Sequence, residues 1–253
     1  MSRTAAESPA QLLAEIEHAA VRSWPALETA EVEGWCWRYA SGGSLRGNSV
    51  AALAFTGSNP DAAIAAIERL YLAKGAPCRF TVSEASVPAD LDALLASRGY
   101  ERGEDHLTMA KDIADSTVQS PADVMVMREA TPEWLDIYLA GLSPDRRAVA
   151  PRILAGLPRQ HAFFGSSRAD RLVSSGLSVV DGPLASVQCM ATLGAARRLG
   201  GARAVLQAIE AHARDAGCDR LYLQAEAANT AAFSLYQGFG FRVAGRYHMR
   251  SKR

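Results

Sequence analysis

The run Arg197-Arg198-Leu199-Gly200-Gly201-Ala202 sets two permanent cations beside a pair of glycines, a combination suited to holding phosphates. Guanidinium groups pair with phosphate oxygens, and glycines let a backbone approach a bulky pyrophosphate with no Cβ in the way. The segment separates an apolar run, Leu184 to Thr192, from a stretch in which Val205, Leu206, Ile209 and Ala213 recur at helical spacing. A loop between a strand and a helix over 201–216 would turn the unpaired first amides of that helix, and the positive end of its dipole, toward the loop's ligand. A Walker loop needs glycine, four residues, then Gly-Lys-Ser/Thr, and a dinucleotide fingerprint needs Gly-x-Gly-x-x-Gly. Neither spacing occurs, so ATP and NAD are poorly supported.

A second segment, Asn229-Thr230-Ala231-Ala232-Phe233-Ser234-Leu235-Tyr236, runs on into Gly238-Phe239-Gly240-Phe241. Together the two resemble the paired motifs of the GNAT superfamily of acyl-CoA-dependent N-acetyltransferases, Arg/Gln-x-x-Gly-x-Gly/Ala followed by Asn-x-x-Ala-x-x-Leu-Tyr and Gly-Phe. The resemblance covers 172–250. It departs at Gly201, where the family usually carries a larger apolar residue, and at Ala202, an accepted substitute for the last glycine; neither change removes an amide donor.

The resemblance implies acetyl-CoA as co-substrate and direct transfer to an amine, with no metal. It implies that Arg197, Arg198, Leu199, Gly200, Gly201 and Ala202 hold the pyrophosphate, and that the backbone amides of Met190 and Thr192 hold the thioester carbonyl and the pantetheine arm. Met190 is also readable as a plain core residue. Asn229 would bond the pantetheine amides, or cap the helix starting at Thr230. Tyr236 matches the family's acid for the departing thiolate, or packs beside Leu235. A free amine of pKa ~10 is about 0.1% unprotonated at pH 7, so a site must desolvate it or take its proton. Gln188 stands where many family members offer a carboxylate, and an amide cannot accept that proton. Glu226, just past a strand at 221–225, is the nearest candidate base and equally readable as a solvated strand end. His212 and His248 read as surface or structural residues.

The elements that must position these groups suggest a mixed α/β fold, α+β in its sheet, built as two tandem GNAT-like acyl-CoA N-acyltransferase folds. Residues 67–85 align without a gap on 209–227, matching at Ile67/Ile209, Glu68/Glu210, Gly75/Gly217, Glu84/Glu226 and Ala85/Ala227. Both stretches read as helix, glycine stop, then strand, and the parallel continues from Leu94 to Tyr100 against Leu235 to Phe241. The small polar stretch Ala114 to Ala122 gives a boundary, with domains 1–117 and 118–253. In the first half the phosphate loop maps onto Phe55-Thr56-Gly57-Ser58-Asn59-Pro60, which has none of its features. That half is expected not to bind acyl-CoA; Trp35, Trp37 and Tyr39 read as core packing, and the half as structural support or as a substrate-facing element. In the second half, strands are expected at 124–128, 162–164, 172–180 and 184–192, with a helix capped by Thr131 and begun by Pro132. A loop over 141–159 carries Arg146, Arg147 and Arg152, which suit a carboxylate-bearing acceptor or simply face solvent.

With 253 residues and 49% hydrophobic content the chain can bury one large core or two smaller ones. Lys plus Arg and Asp plus Glu both total 27, which argues against nucleic acid or an anionic membrane and favours a small-molecule amine. Residues 1–20 form a charged, alanine-rich helical pattern, and no stretch approaches the ~18 apolar residues of a membrane span, so a cytoplasmic location is expected. Cys36, Cys78, Cys189 and Cys218 form no Cys-x-x-Cys pair and read as free thiols, with no metal site. Two similar halves are compatible with a monomer, as an internal pseudo-dimer, or with a homodimer.

Overall fold

The computed structural model describes residues 8–253. The first part of the chain forms α1 (Pro9–Ser23), β1 (Glu28–Val32), β2 (Trp35–Tyr39), β3 (Val50–Ala51), α2 (Pro60–Ala73), β4 (Cys78–Ser83), α3 (Leu91–Ser97) and β5 (Glu101–Asp112). Then come β6 (Val124–Met127), α4 (Pro132–Ala140), α5 (Pro144–Ala155), β7 (His161–Arg168), β8 (Arg171–Asp181), β9 (Leu184–Ser186) and β10 (Gln188–Thr192). The chain ends with α6 (Gly201–Asp215), β11 (Arg220–Glu226), α7 (Thr230–Gly238) and β12 (Arg242–Lys252). Of the helix expected over 1–20, the first seven residues lie outside the described residues. The rest begins at a capping box, Ser8 Oγ accepting from the Gln11 amide and the Gln11 side chain accepting from Ser8 N–H.

Two compact units form, and they are not separated by a single cut. The first holds the chain up to Thr108 with 225–229 and 243–253; the second holds 109–224 and 230–242. The boundary expected at 117/118 therefore shifts to 108/109, and the C-terminal strand returns to the first unit. The physical reason is strand pairing: β12 runs antiparallel to β4 from Tyr247↔Ser83 to Lys252↔Cys78.

The first unit orders its strands β1-β2-β3-β4-β12-β5, with β3 parallel to β4 and antiparallel to β2. The alternation in Trp35, Trp37 and Tyr39 puts the two tryptophans into the core, 0% and 4% exposed, with Tyr39 packed at its margin. Trp35 meets Phe80 edge-on at 5.6 Å, and Ile64, Ile67 and Tyr71 of α2 close over them. Ahead of α2, Asn59 Oδ1 accepts from Ala62 N–H at 3.1 Å and Pro60 opens the helix.

In the second unit the order is β5-β11-β9-β8-β7-β6, with β11 parallel to β9 and the β9/β8, β8/β7 and β7/β6 pairs antiparallel. Helix α4 starts as its sequence suggests, Thr131 Oγ1 accepting from Trp134 N–H at 3.2 Å, and buries Trp134 against Phe163. Residues 144–155 are helix α5 rather than loop; Pro144 sits in its first turn and Pro151 within it. The strand expected over 184–192 is broken into β9 and β10, and β7 is longer than the 162–164 run.

The recurrence in the sequence is present in the elements. Helix α2, Gly75 and β4 correspond to α6, Gly217 and β11; α3, Gly99 and β5 correspond to α7, Gly240 and β12. Ile67 and Ile209 are both fully buried. No helix among the described residues is long and apolar enough to cross a membrane.

Candidate active site

The break between β9 and β10 creates an opening in the second unit's sheet. Strand β11 pairs with β9 only over Arg220 to Tyr222, and the last rung is Val187 N–H donating to Tyr222 C=O at 2.8 Å. At Cys189 the backbone turns left-handed, φ 52°, and the register shifts between Gln188 and Ala191. Beyond that bulge β10 pairs with β8 alone. Thr192 lies opposite Ser174, and the next residue, Leu193, donates its N–H to Val173 C=O at 3.0 Å. Antiparallel residues alternate between bonding the partner and facing away, so the backbone of Thr192 faces the opening. Met190 stands two residues back, inside the bulge; its side chain packs over Gly176, where a built Cβ would meet the sulfur at 3.0 Å. The core reading of that side chain and a backbone role are thus compatible.

The chain leaves β10 through a 3-10 turn at Gly194–Ala196 and enters the Arg197–Ala202 loop. Arg198 is left-handed, φ 62°, and so is Gly200, φ 90°, which caps α6 without a side-chain bond. A non-glycine residue held there costs about 1–3 kcal/mol and points to a functional constraint. The first bond closing the helix is Ala204 N–H to Gly200 C=O at 2.9 Å. Helix geometry therefore leaves the amides of Gly201, Ala202 and Arg203 unpaired. Arg197, Arg198, Leu199 and Gly200 are all exposed. A cavity of about 430 Å³ opens beside this turn, lined by Gly200, Gly201, Arg203, Gln207, Arg168 and Asp123 among others. Open amides, two arginines and adjoining space fit the diphosphate of a CoA thioester.

Tyr236, on α7, is 8% exposed and meets Phe241 edge-on at 5.9 Å. Burial pushes its phenol up to about 12. Gln188 is buried, and its Nε2 donates to Ser186 Oγ at 2.8 Å. The second unit thus brings together Met190, Thr192 and the whole loop on consecutive segments. Glu226 and Asn229 fall in the first unit, at the end of β11 and in the turn after it, where Asn229 N–H donates to Glu226 C=O at 3.0 Å. Both are exposed.

Other titratable residues singled out by type have structural partners. His212 is half-buried with its ring edge-on to Phe164 at 5.5 Å, and burial lowers its pKa. His248 Nε2 contacts Asp92 Oδ1 at 2.8 Å. Arg147 donates to Leu142 C=O and Ala140 C=O, closing the turn before its own helix. The four cysteines form no disulfide; Cys78 and Cys218 are buried and the other two half-buried. Among the described residues no group of three or more His, Cys, Asp or Glu is placed to hold a metal.

Sequence reasoning missed Ser166 and Ser174, which lie directly under Gly201. A Cβ built on Gly201 would stand 2.8 Å from Ser166 Oγ and 2.4 Å from Ser174 Oγ, which gives the departure from the motif at that position a steric reason. Serines within strands carry no motif; the one available signal is their cross-strand register.

Comparison with known proteins speaks to the family and the fold. Residues 13–250 match the family described as "Probable histone acetyltransferase Rv0428c C-terminal". An uncharacterized N-acetyltransferase of Bacillus subtilis (strain 168), YobR, is 30% identical over 245 residues, covering 94% of this chain and 98% of that protein. Among solved structures, a GCN5-related N-acetyltransferase from Kribbella flavida aligns with TM-score 0.71 at 14% identity, over 98% of this chain and 96% of the other. A tandem GNAT protein from the clavulanic acid biosynthesis pathway aligns with TM-score 0.57 at 15% identity, over 76% and 69%. At such identities the solved structures speak to the fold, whereas the family match spans nearly the whole chain. The chain belongs to the Rv0428c C-terminal acetyltransferase family, with an N-acetyltransferase relative and the fold of GNAT proteins.

Proposed function

We propose that the protein transfers acetyl from acetyl-CoA directly to the amine of a small molecule, using the second unit's opening and loop. The observation that carries this reading is the first turn of α6, where unpaired amides and Arg197 and Arg198 adjoin the broken edge of β10. In the proposed reaction the loop from Arg197 to Ala202 holds the diphosphate, and the backbone of Met190 and Thr192 holds the pantetheine arm and polarises the thioester carbonyl. The amine nitrogen attacks that carbonyl carbon, a C–N bond forms, the C–S bond breaks, and Tyr236 stabilises the departing thiolate. Asn229 bonds the pantetheine amides, and Glu226 takes the amine's proton, directly or through water. Balanced charge supports a small acceptor over nucleic acid or a membrane surface, in a cytoplasmic setting and as a monomer or homodimer.

Residues 1–117 are read as a degenerate copy without a CoA loop. At the matching loop Pro60 removes a helix-start amide, Asn59 occupies another, and a Cβ on Gly57 would lie 2.6 Å from the Glu33 carboxylate. An acid in that place repels phosphate. Two further readings each have an observation behind them. The family's description names histones, which favours a protein amine; Gln188 in place of a strand carboxylate favours a non-catalytic acyl-CoA sensor.

Isothermal titration with acetyl-CoA, followed by an amine and peptide panel, tests these readings. Charge-assisted hydrogen bonds contribute about 1.5–3 kcal/mol each, so Arg198→Glu should weaken binding by about tenfold or more. Turnover of small amines supports the proposal, turnover confined to peptides transfers it to protein substrates, and binding without any turnover makes the protein a sensor. Absence of acetyl-CoA binding to the wild-type protein sinks all three.

A further inference from the structure

The first turn of α6 rests on a floor of two hydroxyls. Ser166 on β7 and Ser174 on β8 are direct cross-strand partners, so their side chains emerge together on the face that α6 covers. Gly201 is not in the left-handed region, so glycine stands there for space and not for backbone freedom. Both hydroxyls are buried, Ser166 beside the cavity that the turn also lines. Ser174 is fully buried and its Oγ lies 2.9 Å from Thr192 Oγ1, on the strand whose backbone faces the opening. Ser166 is 1% exposed, and its Oγ has no hydrogen-bond partner among the described residues. A buried hydroxyl without a partner is uncommon and costly, which raises the question of what it does at this position.

We propose that Ser166 and Ser174 are positioning residues for acetyl-CoA: with Gly201 they set the depth of the first turn of α6 and hence where its open amides meet the diphosphate. This inference rests on the reading of the loop given under Proposed function. A ligand held at its diphosphate by the turn and at its thioester by β10 needs a fixed distance between the two, and a displacement near 1 Å can cost about a hundredfold in productive binding or rate. The contact from Ser174 to Thr192 ties the turn's floor to β10, so one steric layer serves both ends of the ligand.

The test is a compensation experiment read as the Kd for acetyl-CoA, with the ligand-free melting temperature alongside. Gly201→Ala should raise Kd at least about tenfold, because the added methyl must lift the turn off both oxygens. The triple variant Gly201→Ala, Ser166→Ala, Ser174→Ala removes both oxygens and leaves 3.4 Å to the residue 174 Cβ. Its Kd should return to within about threefold of wild type. A merely structural role predicts a lowered melting temperature with unchanged Kd in Gly201→Ala, and that result overturns the proposal. If Gly201→Ala does not fold, the triple variant decides: folding with near wild-type Kd supports the proposal, while folding with Kd raised about tenfold overturns it. A triple variant that does not fold overturns it too, since steric relief would then not account for the glycine. Failure of wild-type protein to bind acetyl-CoA is a separate outcome that removes the functional reading itself.

Discussion

Tyr236 shows how a fold can alter the chemistry that a residue type suggests. With an ordinary phenol near ~10, proton donation to a thiolate near ~8.5 is uphill by about 2 kcal/mol. Burial moves the phenol up to about 12, and the gap widens to about 5 kcal/mol at 1.36 kcal/mol per pKa step. Full transfer therefore becomes less favourable, and stabilisation of the thiolate by a hydrogen bond from a phenol that stays protonated becomes the better account. Tyr236→Phe should lower kcat by about 10²-fold or somewhat less while leaving acetyl-CoA Kd unchanged. The sign of the pH effect follows: an acid works when protonated, so its contribution is lost only as pH rises through its folded value. No loss of kcat assignable to Tyr236 should appear by pH ~10, and a titration there that the phenylalanine variant abolishes would contradict the raised value. At this scale the loop from Arg197 to Ala202 was legible as a candidate because charge and glycine have direct chemical meaning, and Tyr236 through its place in a motif that resembles the family's. Ser166 and Ser174 were not, because their role comes from a register that no local pattern encodes.

At the scale of elements, α6 was readable end to end, since apolar residues at helical spacing imply a buried face and Val205, Leu206, Ile209 and Ala213 are all buried. The break between β9 and β10 was hidden: Leu184 to Thr192 is one continuous run, and a left-handed Cys189 leaves no sequence mark. Helix α5 was concealed by its arginines and two prolines, which read as a loop. The recurrence of Glu68 at Glu210 conceals a difference in use. Glu68 bonds Arg98, Tyr100 and Lys252 at a half-buried site. Glu210, 1% exposed, accepts from Lys111 and Ser116, and the Lys111 ammonium also lies 4.2 Å from the Phe239 ring centroid. Removing one member of a buried pair leaves the other charge uncompensated, which costs about 3–5 kcal/mol. Glu210→Ala should therefore lower the free energy of unfolding, read from urea denaturation, by an amount in that range. A loss under about 1 kcal/mol, typical of an exposed ion pair, would show that solvent already screens the site.

For the whole chain, the repeated helix, glycine and strand made two similar folding patterns legible from sequence, whereas the return of β12 to the first unit was not. A polar stretch such as Ala114 to Ala122 marks where a chain can be cut locally, but strand partners are chosen by pairing across long sequence separations. The consequence bears on any attempt to isolate the first unit. Residues 1–117 alone would leave β4 without its β12 partner over six paired positions, exposing a row of backbone donors and acceptors open to edge-to-edge association. The same cut takes His248 and Arg250 from Asp92, and Lys252 from Glu68. Without β12 nothing joins β4 to β5 in the sheet, and the fragment should aggregate or unfold without a cooperative transition. Residues 1–112 joined through a short flexible linker to 240–253 restore the missing strand and should give a sigmoidal urea transition. Cooperative unfolding of the 1–117 fragment alone would show that β12 is dispensable and that the first unit closes on its own strands.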